Sequence, residues 1–78
     1  MKLSIITNNV NAYEIFAKFC YTYGFDCTLS NMDGMFIITI NNPSDSLVTL
    51  IRDLVGKMSD IVDISYVVVP ESLERKMF

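Results

Sequence analysis

Histidine is absent from this 78-residue chain, and cysteine occurs only twice. Without histidine the chain lacks the most common general base and a common metal ligand, so we expect no enzyme, no cofactor and no metal site. Only six lysines and arginines stand against nine acidic residues, giving a net charge of −3. Nucleic-acid binding depends on basic side chains that neutralise phosphates, so we expect no nucleic-acid partner.

Long hydrophobic runs are also absent, and none approaches the ~20 residues that a membrane-spanning helix needs. Met1-Lys2 leads into a strand-like segment rather than the apolar core of a signal peptide. A composition of 51% hydrophobic and 19% charged residues argues against disorder. We therefore expect one cytoplasmic globular domain over residues 1–70, a short tail at 71–78 that can form a helical turn or two, and no membrane partner. We also expect two reduced, inward-facing thiols, Cys20 and Cys27.

The clearest secondary-structure signal is the uncharged apolar run from Met35 to Ile40. Its β-branched and aromatic residues, and its shortness, predict a central strand rather than a buried helix. Asp33-Gly34 immediately before it predicts a tight hairpin, because such turns need residues that adopt positive φ. Similar segments predict strands at residues 2–7, 25–30 and 64–69. In the second of these, Phe25, Cys27 and Leu29 are expected to face the core.

Two amphipathic segments predict helices. In the first, Asn11 is the expected N-cap and Gly24 the expected left-handed terminator. In the second, Asn42 is the expected N-cap and Pro43 the first helical residue. Apolar residues at helical spacing predict one buried stripe on each helix: Ala12, Ile15, Phe16, Phe19, Cys20 and Tyr23 on the first, and Leu47, Leu50, Ile51, Leu54 and Met58 on the second, with Val48 and Val55 on its flanks.

The predicted order of elements is β-α-β-β-α-β. Right-handed crossovers and the central hairpin then give an α+β fold with a four-stranded antiparallel sheet, in the order 4-1-3-2, and two helices on one face. This pattern resembles the ferredoxin-like superfold over nearly the whole chain. The superfold hosts many unrelated functions, so the resemblance implies the fold and not the activity.

Polar residues are predicted to converge at the end of the sheet that carries the first loop and the hairpin. An oxygen-rich end beside a helix N-terminus could hold a small ligand or a hard cation, although the same residue types also simply form turns. The candidate residues are Asn8, Asn9, Asn11, Asp33 and Asp60. The first loop, the Tyr23-Gly24-Phe25-Asp26 segment and the hairpin are similar in placement to those of ACT-type regulatory domains, although the Pro-Gly usual in their first loop is missing from this sequence. That resemblance implies, as an alternative function, a small ligand held near Asn8 to Asn11 at a dimer interface.

The face of the sheet turned away from the helices is unusually apolar in this prediction. The last strand is also an edge without charge or proline to discourage pairing, and we expect this surface to be covered by a second copy of the chain, a different protein or the tail at 71–78 folded back. Tyrosine is enriched at interfaces. The predicted interface residues are Ile6, Met35, Ile37, Val67 and Val69 on the sheet, with Tyr13 and Tyr21 on the first helix. We therefore expect a non-catalytic protein-binding module, either a homodimer or an inhibitor of a host protein in the style of phage or mobile-element accessory proteins, with a small enzyme as the third alternative.

Overall fold

The computed structural model describes residues 1–70 and contains every predicted helix and strand, while the predicted tail at 71–78 lies outside the described residues. The elements follow the order β-α-β-β-α-β. Their bounds are β1 Lys2–Thr7, α1 Val10–Tyr23, β2 Cys27–Met32, β3 Met35–Asn41, α2 Asp45–Met58 and β4 Ile64–Val69.

The sheet has the strand order β2-β3-β1-β4, with each neighbouring pair antiparallel. This confirms the predicted 4-1-3-2 order and the ferredoxin-like arrangement. Ile5 of β1 lies opposite Ile38 of β3 on one side and Tyr66 of β4 on the other. The Met35 run is therefore a central strand, as its composition predicts.

The predicted hairpin joins β2 to β3 through a loop made only of Asp33 and Gly34, because Met32 lies directly opposite Met35. Asp33 has φ 53° and Gly34 has φ 80°. Two positive φ values in a two-residue loop are typical of the type I′ turn, whose twist matches that of the strands. β2 consequently runs to Met32, and the predicted strand bounds of 25–30 are wrong by two residues at each end.

The core lies between the helices and one face of the sheet. Side chains from both helices and from alternate strand positions form a single buried cluster, so both helices cover the same face. The buried members are Leu3, Ile5, Ala12, Phe16, Cys20, Ile38, Ile40, Leu47, Ile51, Val55 and Ile64.

The predicted buried stripes are wrong at their margins. Ile15 and Tyr23 are 60% and 67% exposed, and Leu50 is 44% exposed, whereas Tyr13 and Val48 pack against the core. Each helix rests on the sheet through a row of every fourth residue: Ala12, Phe16 and Cys20 on α1, and Leu47, Ile51 and Val55 on α2. The margin that carries Ile15, Tyr23 and Leu50 is only partly covered, because Phe19, Leu54 and Met58 on the same side of these rows do pack against the core. Leu29 lies on the edge strand β2 and is 47% exposed.

The first helix begins earlier than predicted. The N-cap is Asn9 rather than Asn11, and its Oδ1 accepts a hydrogen bond of 2.9 Å from the Ala12 N–H. A second hydrogen bond fixes the position of Asn9, because its own N–H donates to Thr7 Oγ1 at 3.1 Å. Gly24 ends the helix with φ 70°, as predicted.

The second helix begins later than predicted. The N-cap is Ser44, whose Oγ accepts from the Leu47 N–H at 3.1 Å. Asn42 instead adopts φ 52° in the loop, and Pro43 precedes the cap rather than beginning the helix. Asp45, the first helical residue, places its carboxylate at the positive end of the helix dipole.

Candidate protein-binding surface

The open face is the face of the sheet opposite the helices. Side chains alternate along each strand, so the residues between the buried positions point to this face. Within residues 1–70, no helix or strand packs against it, because both helices contribute to the core on the other side. Its central members are Ser4, Ile6, Met35, Ile37, Thr39, Val67 and Val69.

An apolar strip crosses the open face toward the hairpin. Ile6 lies directly opposite Ile37, and Met35 is the next residue of β3 on this face. Met35 in turn lies opposite Met32, which is 64% exposed. These four side chains join β1, β3 and β2 in one continuous strip. The sequence prediction missed Met32, although the two-residue Asp-Gly turn implies that β2 continues to this position.

A row of hydroxyl groups lies beside the apolar strip. Ser4 is opposite Thr39, which is opposite Thr28, and the Ser4 and Thr39 hydroxyl oxygens are 3.0 Å apart. Val67 lies opposite Ser4 and is diagonal to Ile6. The five predicted interface residues on the sheet therefore lie on one face but form two groups. Ile6, Met35 and Ile37 make the first, and Val67 and Val69 make the second along β4.

The two predicted interface tyrosines lie on the helical side of the molecule and not on the open face. Tyr13 stacks on Phe36 with ring centroids 4.7 Å apart, so one face of its ring is already in contact within the chain. Tyr21 is 89% exposed. The structure therefore does not bring Tyr13 and Tyr21 together with Ile6, Ile37 and Val67 in a single surface.

The polar residues do converge at one end of the sheet, where β1, β2 and α2 end and α1 begins. Several polar groups there are already engaged in structural hydrogen bonds. The Asn9 side chain caps α1, and the buried Thr7 hydroxyl donates to the Asp63 carbonyl oxygen at 2.7 Å. Over residues 1–70 there is no group of three acidic or cysteine side chains placed to hold a metal ion, and no pocket is found. The turn-forming interpretation therefore accounts for Asn9 directly. Asn8 and Asn11 are its near neighbours in the chain, whereas Asp33 lies in the β2–β3 hairpin and Asp60 lies between α2 and β4, toward opposite edges of the sheet.

The two thiols differ in exposure. Cys20 is fully buried in the core and Cys27 is half-buried at the start of β2; both are free. Burial, followed by the neighbouring Cys27 thiol, raises the pKa of the Cys20 thiol from 9.0 to about 11. Cys20 is therefore protonated at neutral pH and is a poor nucleophile.

Comparison with protein-family models, curated proteins and solved structures finds no significant match to this chain. Over the described range, neither helix is long and apolar enough to cross a membrane.

Proposed function

We propose that the chain is a non-catalytic protein-binding module that binds another protein through the open face of its sheet. The observation that carries this proposal is the apolar strip formed by Ile6, Met35, Ile37 and Met32, over which nothing packs within residues 1–70. Met32 is exposed and Ile6, Met35 and Ile37 are half-buried, so the strip is a contiguous, partly exposed apolar surface of the kind that marks interaction sites. The methionines are flexible and can adapt to the shape of a partner.

The energy available from this strip is large for so small a domain. Covering about 30 Å² on each of four side chains would contribute roughly 3 kcal/mol at ~25 cal/mol per Å². Domains of this size are themselves stable by only ~5 kcal/mol. A partner on the open face would therefore also stabilise the fold.

The hydroxyl row gives the surface a polar element beside its apolar one. Thr28, Thr39 and Ser4 can accept or donate hydrogen bonds to a partner's side chains, which favours one orientation of the complex. The partner class that we propose is a host protein in the cytoplasm, with this chain as a phage or mobile-element accessory protein that inhibits or modulates it. The absence of histidine and the acidic, methionine-containing composition of the chain support this class.

The test compares two isoleucine-to-lysine variants on opposite sides of the molecule. The chain is immobilised and exposed to a cell extract, and retained proteins are compared between wild type, Ile37→Lys and Ile15→Lys. Ile37 lies on the open face, whereas Ile15 is 60% exposed on α1. We expect a protein that wild type and Ile15→Lys retain and that Ile37→Lys loses.

Retention of the same proteins by all three chains would contradict the proposal. Urea unfolding of each variant shows whether a loss of binding reflects the surface or a loss of fold. If Ile37→Lys binds as wild type does while Ile15→Lys loses the partner, the binding surface is the helical layer instead.

A further inference from the structure

Within residues 1–70, no strand pairs with the outer edge of β4, so this edge presents a defined set of backbone groups without a ladder partner in that range. Asn8 N–H donates to the Asp63 carbonyl oxygen at 3.4 Å, and these two residues stand opposite each other in the β1–β4 register. On the other side of β1, Asn42 N–H donates to the Met1 carbonyl oxygen at 2.9 Å. The two bonds agree on which residues of β1 bond to β3 and which bond to β4, because hydrogen-bonded pairs occur at every second position of an antiparallel ladder. Odd-numbered residues of β4 therefore bond to β1, and Ile64, Tyr66 and Val68 direct their N–H and C=O groups outward.

We infer that this edge pairs with the same edge of a second copy of the chain, antiparallel, with Tyr66 opposite Tyr66 of the partner. In this register Ile64 lies opposite the partner's Val68 and every outward group is used, giving about six interchain backbone bonds. Shifting the register by two residues in either direction leaves about four. Pro70, the next position in the outward series, has no N–H and cannot extend the ladder.

The side chains of β4 suit this pairing. The strand is uncharged from Ile64 to Val69, and it consists of β-branched and aromatic residues apart from Ser65. Such residues stabilise cross-strand pairs, and neither copy presents a like charge to the other along the strand. Ser65 lies opposite the partner's Val67, which is 47% exposed in the single chain and would be partly covered.

Charge favours the β4 edge over the other edge of the sheet. In the Tyr66-centred register, Asp63 lies opposite the partner's Val69, which is itself opposite the partner's Lys2. Asp63 and Lys2 are both exposed and on the same face, so each end of the pair brings opposite charges within reach. The equivalent pairing of β2 about Leu29 would place Asp26 opposite the partner's Met32, next to the partner's Asp33. That arrangement brings like charges together at both ends.

This pairing is independent of the proposed function, because it uses backbone groups at an edge and continues the sheet across both copies. The two open faces then lie side by side on the same side of the combined sheet. The dimer would present its apolar strip twice to a partner, and both helical layers would remain on the opposite side.

The register can be tested by mixing two cysteine variants of the full chain, Ser65→Cys and Val67→Cys. Residues 65 and 67 of opposite copies form a non-hydrogen-bonded pair with Cα atoms about 4.5 Å apart, which suits a disulfide. Within either variant alone, the new thiols are diagonal and about 7–8 Å apart. Under mild oxidation we expect the mixture to form a covalent dimer roughly five-fold or more in excess of either variant alone, with the link mapped to residues 65 and 67 by peptide mass spectrometry.

The other outcomes contradict the inference in distinguishable ways. Cross-linking of Ser65→Cys alone would place the two-fold axis at Ser65, and cross-linking of Val67→Cys alone would place it at Val67. Absence of any cross-link, with light scattering reporting a mass near 8.9 kDa rather than twice that value, would exclude edge pairing. Thr28→Cys, exposed on β2, is the matched control and should not cross-link.

A second measurement tests whether Asp63 and the partner's Lys2 attract each other, and it needs no cysteine variant. Asp63→Lys should weaken dimerisation roughly three- to ten-fold, as expected for loss of two exposed ion pairs, and Lys2→Glu in the same chain should restore it. Asp63 contributes its backbone carbonyl to the bond from Thr7, so the substitution leaves that bond in place. Equal dimerisation by Asp63→Lys and wild type would contradict the proposed attraction between Asp63 and the partner's Lys2.

Discussion

The two faces of the sheet carry similar residue types and behave differently. On β3, Ile38 and Ile40 are each 1% exposed beneath the helices, while Ile37 and Met35 are only partly covered on the open face. Their apolar character is comparable, so hydrophobicity alone does not separate the core from the surface. The difference comes from the alternation of side chains between the two faces along the strand. The Asp33-Gly34 turn determines which residues of β2 and β3 share a face, because it pairs Met32 with Met35.

Whether a side chain in this sheet is buried therefore depends on which face of the strand it occupies as much as on its residue type. The same reasoning applies to hydroxyl groups, since Thr7 is buried on the covered face and Ser4 is half-buried on the open one. Substitutions that differ only in the face they alter are the most informative, and their expected effects range from complete unfolding to almost no change in stability.

The largest contrast is expected between Ile38→Lys and Ile37→Lys. A lysine at position 38 would bury a charge without a partner, which costs more than the ~5 kcal/mol available to such a domain, so the chain should not fold. A lysine at position 37 can extend into solvent and should cost less than about 1 kcal/mol. Urea unfolding followed by circular dichroism measures both. Equal destabilisation by the two substitutions would mean that the open face is buried in the folded protein.

A smaller effect is expected from the buried thiol at alkaline pH. Because the pKa of Cys20 is raised from 9.0 to about 11 in the folded chain, the folded state holds its proton more tightly than the unfolded state does. Stability from this source is fully present below pH 9 and is lost as the pH rises through 11, by on the order of 1–3 kcal/mol. Urea unfolding at pH 8 and pH 11 measures the change, with Cys20→Ala as the control that should lose less. A loss of the same size in Cys20→Ala would assign the alkaline sensitivity to other groups.

The two hydroxyl positions give the next contrast. Thr7→Val keeps the shape of the side chain but removes the donor to the Asp63 carbonyl and the acceptor for the Asn9 N–H. The Asn9 N–H would lose its partner and the Asp63 carbonyl would keep only the 3.4 Å bond from the Asn8 N–H, which should cost about 1–2 kcal/mol. Ser4→Ala breaks only the contact with Thr39 on the open face, where water can replace it, and should cost less than about 0.5 kcal/mol. Thermal melts of the two variants decide between these values, and a larger cost at Ser4 would reverse the assignment of faces.

The smallest contrast is expected between two asparagines at the start of α1, in the helical layer that covers the core. Asn9→Ala removes the helix cap of α1 and should cost about 1 kcal/mol, whereas Asn11→Ala replaces an exposed residue within the first turn and should be neutral or slightly stabilising. The midpoint of urea unfolding measures the difference. A greater cost at position 11 would favour the helix start that the sequence predicts.

The fold was predictable because its decisive signals are local. The Asp-Gly turn, the uncharged β3 run and Gly24 each act over a few residues, and together they determine strand order once crossovers are right-handed. The helix N-caps were less predictable, because Asn9 and Asn11 are the same residue type and either could cap the first helix. The choice between them depends on Thr7, whose hydroxyl holds the Asn9 N–H and reaches a residue 56 positions away.

The sequence predicted which face of the sheet carries the candidate surface, but not which residues on that face are neighbours. Alternation places Ile6, Ile37 and Val67 on the open face, as the sequence predicts. Register decides which of them are neighbours. The pairing of Met32 with Met35 follows from the local Asp33-Gly34 turn, whereas the β1–β3 pairing that places Ser4 and Thr39 beside the apolar strip joins segments that no short window of sequence contains.

The central position of β1 has a consequence for the order in which the chain can assemble. As synthesis proceeds from the N-terminus, β1 emerges before the other three strands of residues 1–70, yet both of its neighbours in the sheet come much later, and β4 is the last of these four strands to be made. Until β4 has left the ribosome, one edge of the central strand has no ladder partner and Thr7 lacks the Asp63 carbonyl. Folding is therefore expected to wait for release of the full domain, and contacts between residues this distant in sequence make it slower than the folding of a helical bundle of equal length.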